Sequence, residues 1–208
     1  MDLKPKLLEL FKGSGSVGKV AVKVGYEVVS VDLDPIYTPD IETDILKWDY
    51  KKFSKENGYV PDFIWASPPC NTYSPLAYPL KERNPKTAEP LAPRAVLGTK
   101  ILYKTLEIIK YFKSLNPDLL YCIENPRGMM RKDTRMKMLP YRATTYYCYY
   151  GGKKLKATDF WSNYPLMLKE IDGVCKEYTP VVDLTDIKDR YSIPPKLIKQ
   201  IIYKSILS

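Results

Sequence analysis

Up to Pro126 the chain alternates short β-branched runs with helical stretches, and each run ends abruptly at glycine, proline or aspartate. Leu7–Phe11 (LLELF) reads as a buried strand, and Gly13-Ser14-Gly15-Ser16 as a turn opening a helix around Val17–Val24. Glu27–Val31 (EVVSV) is a second strand ending at Asp32, and Asp62–Ala66 (DFIWA) a third that stops at Ser67-Pro68-Pro69. Leu102–Lys113 carries apolar residues at helical spacing, broken by Asn116-Pro117. Leu119–Ile123 (LLYCI) is a fourth strand, ended by Pro126. Strand, helix and strand with this punctuation predict an α/β fold of βαβ units on a mainly parallel sheet. After Met130 the pattern changes. Thr144–Tyr150 (TTYYCYY) and Thr158–Trp161 (TDFW) read as strands joined by the basic turn Gly151–Lys156, an antiparallel part added to the sheet. Pro194–Leu207 reads as a helix with an apolar stripe at Leu197, Ile198, Ile201 and Ile202. Residues 164–190 are polar and ambiguous. Tyr78–Arg94 is proline-rich, basic and without periodicity, a loop of a length that is functional or mobile in a compact domain.

A chain of 208 residues is read as one domain, 1–208. It has no histidine, which excludes Ser-His-Asp and Cys-His devices and any His-ligated metal site. The four cysteines are scattered without a C-x-x-C pair, so no metal site is expected. They read as reduced thiols of an intracellular, soluble protein. The N-terminus does not read as a signal peptide, and no apolar run approaches the ~20 residues of a membrane span. The net charge of +9 favours a polyanionic partner, with nucleic acid first; the alternative is a basic but inert surface.

Two turns carry the chemistry. Gly13-Ser14-Gly15-Ser16-Val17-Gly18 fits G-x-G-x-x-G after a strand and before a helix, and Asp32 stands at the tip of the next strand. Glycines let the backbone approach a ligand, and the carboxylate can accept from both ribose hydroxyls. The pattern fits NAD, FAD and S-adenosylmethionine alike. Asp44-Ile45 is a further candidate for an adenine contact, or Asp44 caps a helix. At the other turn, Ser67-Pro68-Pro69-Cys70 follows a strand at the carboxyl edge of the sheet, where such folds bind ligands. The prolines stiffen the turn and fix the direction of the thiol. Glu124-Asn125-Pro126 ends the next core strand. A thiolate and a carboxylic acid facing one pocket suit addition to an electron-poor ring with protonation of a ring nitrogen.

The ordered set LELFKGSGS, VDLD, TDIL, ASPPCNTYS and CIENP resembles the DNA cytosine-5 methyltransferases, most of all the compact versions of phages and large viruses. The resemblance runs from about Leu7 to Asn163 and resumes near Arg190. It implies a Rossmann-like S-adenosylmethionine-dependent methyltransferase fold, with S-adenosyl-L-homocysteine as the product. Cys70 matches the nucleophile that adds to cytosine C6, and Glu124 the glutamate that acts on N3. Phe11, Gly13 and Gly15 match the cofactor loop, Asp32 the ribose-binding acid, and Asp44 with Ile45 the adenine contact. Pro69 is grouped with the cofactor side of its turn and matches the proline that contacts the target base. Ser192 is a further cofactor-site candidate, at the entry to the last helix. Asn125 and Pro126 shape the turn beside the substrate. The loop Asn71–Arg94, carrying Arg83, matches the mobile loop that closes on DNA.

Two departures stand out. The family's arginine-rich motif falls near residues 155–159, where no arginine occurs and Lys154 and Lys156 supply the charge. A lysine is a point charge and not a planar fork. Members with defined sequence specificity also insert a sizeable recognition lobe, whereas here residues 164–190 form a short insert in its place. Weak intrinsic specificity follows, or a protein partner or dimer that supplies it. The implied function is methyl transfer to C5 of cytosine in double-stranded DNA, in the host cytoplasm or nucleus if the source is viral. The alternatives are the same chemistry on RNA (tRNA) and a catalytically weak binding member of the fold. A nicotinamide oxidoreductase would leave SPPC and IENP unexplained.

Overall fold

The structure, a computed structural model, describes residues 4–153, 155–170 and 192–203. Seven strands form one sheet in the order β3-β2-β1-β4-β5-β7-β6. These are β1 (Lys6–Leu10), β2 (Glu27–Asp32), β3 (Ile41–Glu42), β4 (Phe63–Ala66), β5 (Leu120–Pro126), β6 (Tyr141–Tyr146) and β7 (Ala157–Ser162). The pairs β2–β3, β1–β2, β1–β4 and β4–β5 are parallel, while β7 runs antiparallel to both β5 and β6. The expected mainly parallel sheet with an antiparallel C-terminal part is therefore observed.

Helices cover both faces. On one lie α2 (Tyr50–Asn57) and α3 (Pro93–Leu115), whose Leu102, Ile108 and Phe112 pack on Leu8, Leu10, Ile64 and Ile123. On the other lie α1 (Ser16–Lys23) and α5 (Pro195–Ile202). Val17, Ala21, Leu197, Ile198 and Ile201 there cover Leu7, Phe63, Trp65 and Cys122. The near-continuous apolar composition of β1, β4 and β5 follows from burial on both faces. Two glutamates break it. Glu9 and Glu124 share strand parity with Leu7 and Cys122, so both side chains point to the α1/α5 face. A short helix, α4 (Thr134–Lys137), leads into β6.

Three expectations need correction. The run Thr144–Tyr150 is not one strand: β6 ends at Tyr146, and Tyr147–Tyr150 form a 3-10 turn closed by Gly151 at φ 78°. The turn draws Tyr147, Cys148 and Tyr150 into the interior, where tertiary packing outweighs the strand preference of tyrosine. Helix α3 begins at Pro93, not Leu102, next to the expected loop end at Arg94, and part of the loop after Cys70 is a 3-10 turn (Pro75–Leu80). Cys148 is disulfide-bonded rather than reduced, while Cys70 and Cys122 are free. No helix among the described residues is long and apolar enough to cross a membrane. Most of the segment 164–190, like Lys154 and the last residues of the expected C-terminal helix, lies outside the described residues.

Candidate active site

Register brings three strand ends level. Leu10 pairs with Ala66, and Ala66 with Ile123, so the turns after β1, β4 and β5 open at one edge of the sheet. The chain crosses over there, with β2 on one side of β1 and β4 on the other, which is where open α/β sheets form a crevice. A cavity of about 380 Å³ occupies it.

One end of the cavity is built from backbone. Phe11 turns out of β1 at φ 63°, uncommon for a residue with a side chain. The Phe11 and Lys12 amides both donate to the Val31 carbonyl, at 2.9 and 3.2 Å. Gly13, at φ 48°, donates its amide to Asp32 Oδ2 at 2.9 Å, and Asp32 Oδ1 accepts from the Asp34 amide at 3.0 Å. Asp32 therefore fixes the turn and lines the cavity at once. Asp44 Oδ1 accepts from the Leu46 amide at 3.0 Å, so it stabilises its own turn and also faces the cavity beside Ile45. Under the glycine turn Glu9 Oε2 accepts from the Gly18 amide at 3.1 Å. A Cβ at position 18 would sit 2.7 Å from that oxygen, so the third glycine of the motif makes room for Glu9. Burial pushes the Glu9 carboxyl up to about 8. With Asp32, Asp34 and Asp44 on its wall, beside a Glu9 that keeps its proton at neutral pH, this end is acidic in a chain of net charge +9.

The other end is built from side chains. The Ser67 amide donates to the Leu10 carbonyl at 3.2 Å, which carries the chain from β4 into Pro68-Pro69-Cys70. Asn125 Nδ2 donates to the Pro68 carbonyl at 2.8 Å and holds that turn from β5. Glu124, 6% exposed, accepts at Oε1 from the Tyr147 hydroxyl at 2.9 Å and from Lys156 Nζ at 3.3 Å. Lys156 Nζ also lies 4.9 Å from the centre of the Tyr147 ring. Burial pushes the Cys70 thiol up; Glu124 adds to this shift and Lys156 opposes it. Burial, then Glu124, likewise keep the Tyr147 phenol protonated.

Of the residues singled out in the sequence, Phe11, Gly13, Asp32, Asp44, Ile45, Pro69, Cys70, Glu124, Asn125, Pro126 and Lys156 line this one cavity. Gly15 does not; it caps α1 behind the wall. Ser192 lines an adjoining groove with Ser16, and the neighbouring Ile193 amide donates to Ser16 Oγ at 3.2 Å. Arg83 is a correction. It is 2% exposed, and its guanidinium is committed to Thr72, Ala88, Ala95 and Thr99, so it faces the interior and not a substrate. Asn125 is fully buried and acts on Pro68, so turn-shaping is its structural part. The sequence reading missed Glu9 and Tyr147. A glutamate inside LLELF was a signal for the first; Tyr147 lay hidden among five tyrosines.

The sheet order, with the cavity at its crossover, is that of a Rossmann-like α/β fold. Solved structures share the fold. The methyltransferase EhMeth of Entamoeba histolytica superposes with a TM-score of 0.55 at 14% identity, over 81% of this chain and 56% of that one. The Dnmt2 methyltransferase of S. pombe superposes with a TM-score of 0.53 at 16% identity, over 81% and 54%. The chain thus spans just over half the length of either. No family model matches. A probable DNA (cytosine-5)-methyltransferase of Frog virus 3 (isolate Goorha) is 30% identical over 161 residues, covering 76% of this chain and 70% of the relative. The chain belongs to the DNA cytosine-5 methyltransferase family.

Proposed function

We propose that this protein transfers a methyl group from S-adenosylmethionine to C5 of cytosine in double-stranded DNA, with Cys70 as nucleophile and Glu124 acting on N3. The observation that carries this reading is the shared cavity, with the thiol and the glutamate at one end and the acidic glycine turn at the other. The residues fit the cofactor. Asp32 suits the ribose, Asp44 and Ile45 the adenine, and the carboxylates of the wall favour a sulfonium cation over a neutral ligand. When bound, the cofactor supplies an electrophilic methyl group to C5.

The chain's own residues do the rest. Cys70 loses its proton and forms a C–S bond to C6. Glu124 donates to N3 as the ring takes up the electron pair. Both observed donors meet Glu124 Oε1, which leaves Oε2 for the base. Loss of the C5 proton to water and return of the N3 proton to Glu124 then restore the C5–C6 double bond as the Cys70 thiolate leaves. Burial keeps Cys70 a thiol at neutral pH, and Lys156 is the nearby cation that favours its ionisation. DNA is favoured by the viral relative's description, while the net positive charge suits a polyanion of either kind. The domain is read as a single catalytic unit in which 164–190 replaces a recognition lobe, so target choice is weak or comes from a protein partner.

Methyl transfer from labelled S-adenosylmethionine to duplex DNA and structured RNA in one reaction tests the assignment. Label at cytosine C5 of the DNA, absent with Cys70→Ser, is the expected result. Label confined to RNA would reassign the substrate. Tight S-adenosylhomocysteine binding with no label in either polymer would make the protein a binding member of the fold.

A further inference from the structure

Arg83 is the largest charged side chain among the fully buried residues. Among the described residues no carboxylate lies within ion-pair distance of it. Neutral acceptors take its protons instead. Nε donates to Thr72 Oγ1 at 3.0 Å, Nη1 to the Ala88 carbonyl and to Thr99 Oγ1 at 3.0 Å each, and Nη2 to the Ala95 carbonyl at 2.8 Å. The guanidinium carbon lies 3.6 Å from the centre of the Tyr73 ring. Asp133 is near enough to act on it electrostatically but makes no ion pair with it; a buried guanidinium without a contact counter-ion is costly, and an aliphatic side chain could fill the volume without that cost. Only a planar fork reaches acceptors on three separate segments at once.

Those segments are the turn behind Cys70, the proline-rich excursion, and the start of α3. The first is continuous with the thiol. The Tyr73 and Ser74 amides both donate to the Cys70 carbonyl at 2.9 Å. From the β5 side the Met129 amide donates to the Tyr73 carbonyl at 2.7 Å. The first of these seams excludes a side chain and the second is tight. A Cβ at Gly128 would lie 2.2 Å from the Tyr73 carbonyl oxygen, and one at Gly98 would lie 3.1 Å from both Arg83 Nη2 and Thr72 Oγ1.

We infer that Arg83 is a positioning residue for Cys70. It locks the Cys70–Ser74 turn onto α3, so the thiol is set in place before nucleic acid arrives. The role of the thiol rests on the proposed function; the lock itself does not. A lysine has no fork with which to span Thr72, Ala88, Ala95 and Thr99, so it cannot take over.

The test compares Cys70 alkylation by iodoacetamide across pH in the full chain, mapped by mass spectrometry, with S-adenosylhomocysteine affinity and methylation kinetics. In Arg83→Met the turn loosens. Cys70 should alkylate about 10-fold faster, with its pH midpoint moved down as burial is relieved, while S-adenosylhomocysteine affinity changes less than about 2-fold. Turnover should fall on the order of 10- to 100-fold through kcat, since a small displacement of a nucleophile costs that much. Arg83→Lys should behave like Arg83→Met. Thr72→Val removes one bond of the four and should raise alkylation by about 2- to 3-fold; it decides the matter if Arg83→Met does not fold. Wild-type alkylation in a folded Arg83→Met or, failing that, in Thr72→Val would overturn the inference. So would a loss of cofactor affinity parallel to the change at Cys70, the sign of general loosening. The alkylation arm reads the lock even if the wild type methylates nothing, a result that would count against the proposed function alone.

Discussion

The two ends of the cavity are made in different ways. The cofactor end is local. Its walls come from residues 9–18 and 31–46, and its shape is held by the Phe11, Lys12, Gly13 and Gly18 amides, which donate to Val31, Asp32 and Glu9. The catalytic end is assembled over long separations. Cys70 follows β4, Glu124 closes β5, and the groups that meet Glu124 come from the 3-10 turn after β6 and the start of β7. A site made from backbone tolerates changes in most side chains but few in its glycines. A site made from side chains fails when any member is lost. The ends should therefore respond separately to substitution.

The sharpest contrast is at Glu124. Glu124→Gln keeps the volume but removes the proton for N3, and turnover should fall roughly 10²- to 10⁴-fold with S-adenosylhomocysteine affinity nearly unchanged. Equal losses in turnover and cofactor affinity would erase the distinction between the ends. The converse substitution is Asp32→Asn. Two charge-assisted bonds to the Gly13 and Asp34 amides are weakened, and calorimetry should show cofactor affinity reduced about 10-fold or more. Cys70 alkylation should stay at the wild-type rate; a change there would mean that the ends are coupled.

Lys156 belongs wholly to the catalytic end. It is the group that lowers the Cys70 thiol against the effect of burial. In Lys156→Met the alkylation profile should move to higher pH, with a several-fold slower reaction at neutral pH. An unmoved profile would remove Lys156 from the activation of Cys70.

The remaining contrast comes from the cofactor end and needs no ligand. Glu9 is raised by burial from its ordinary 4.5 to about 8. The folded state therefore holds a proton that the unfolded chain releases. The contribution to stability is complete below about 4.5 and is lost as pH rises to about 8. With no histidine in the chain, few other groups titrate in that window. The melting temperature of the ligand-free protein should fall over this range, and Glu9→Gln, which keeps an acceptor for the Gly18 amide, should flatten the slope. Identical slopes would place the titrating group elsewhere.

The same contrast explains what could be read from the sequence. The turn from β1 to α1 and the acid at the tip of β2 are local patterns, and they stood where expected. Cys70 and Glu124 were legible because each comes at or just after the end of an apolar run, and adjacent strands carry them to one edge. Helix α2 escaped notice because Tyr50–Asn57 has only a thin apolar stripe, although Asp49 caps its start and Gly58 its end. Arg83 looked like a basic loop residue; nothing local shows that four acceptors from three segments surround it. Tyr147 was one aromatic among many until the chain turned it onto Glu124. What the sequence did not disclose in each of these two residues is the set of partners that turns in the chain gather round it.

The central claim is the bond between the sulfur of residue 70 and C6 of the base. Duplex DNA carrying 5-fluorocytosine, incubated with the protein and S-adenosylmethionine, tests it directly, because fluorine at C5 blocks the proton loss that frees the thiolate. Peptide mapping should find the nucleotide on Cys70, with no adduct in Cys70→Ser. Methylation that persists in Cys70→Ser, or an adduct on any other residue, would contradict the account.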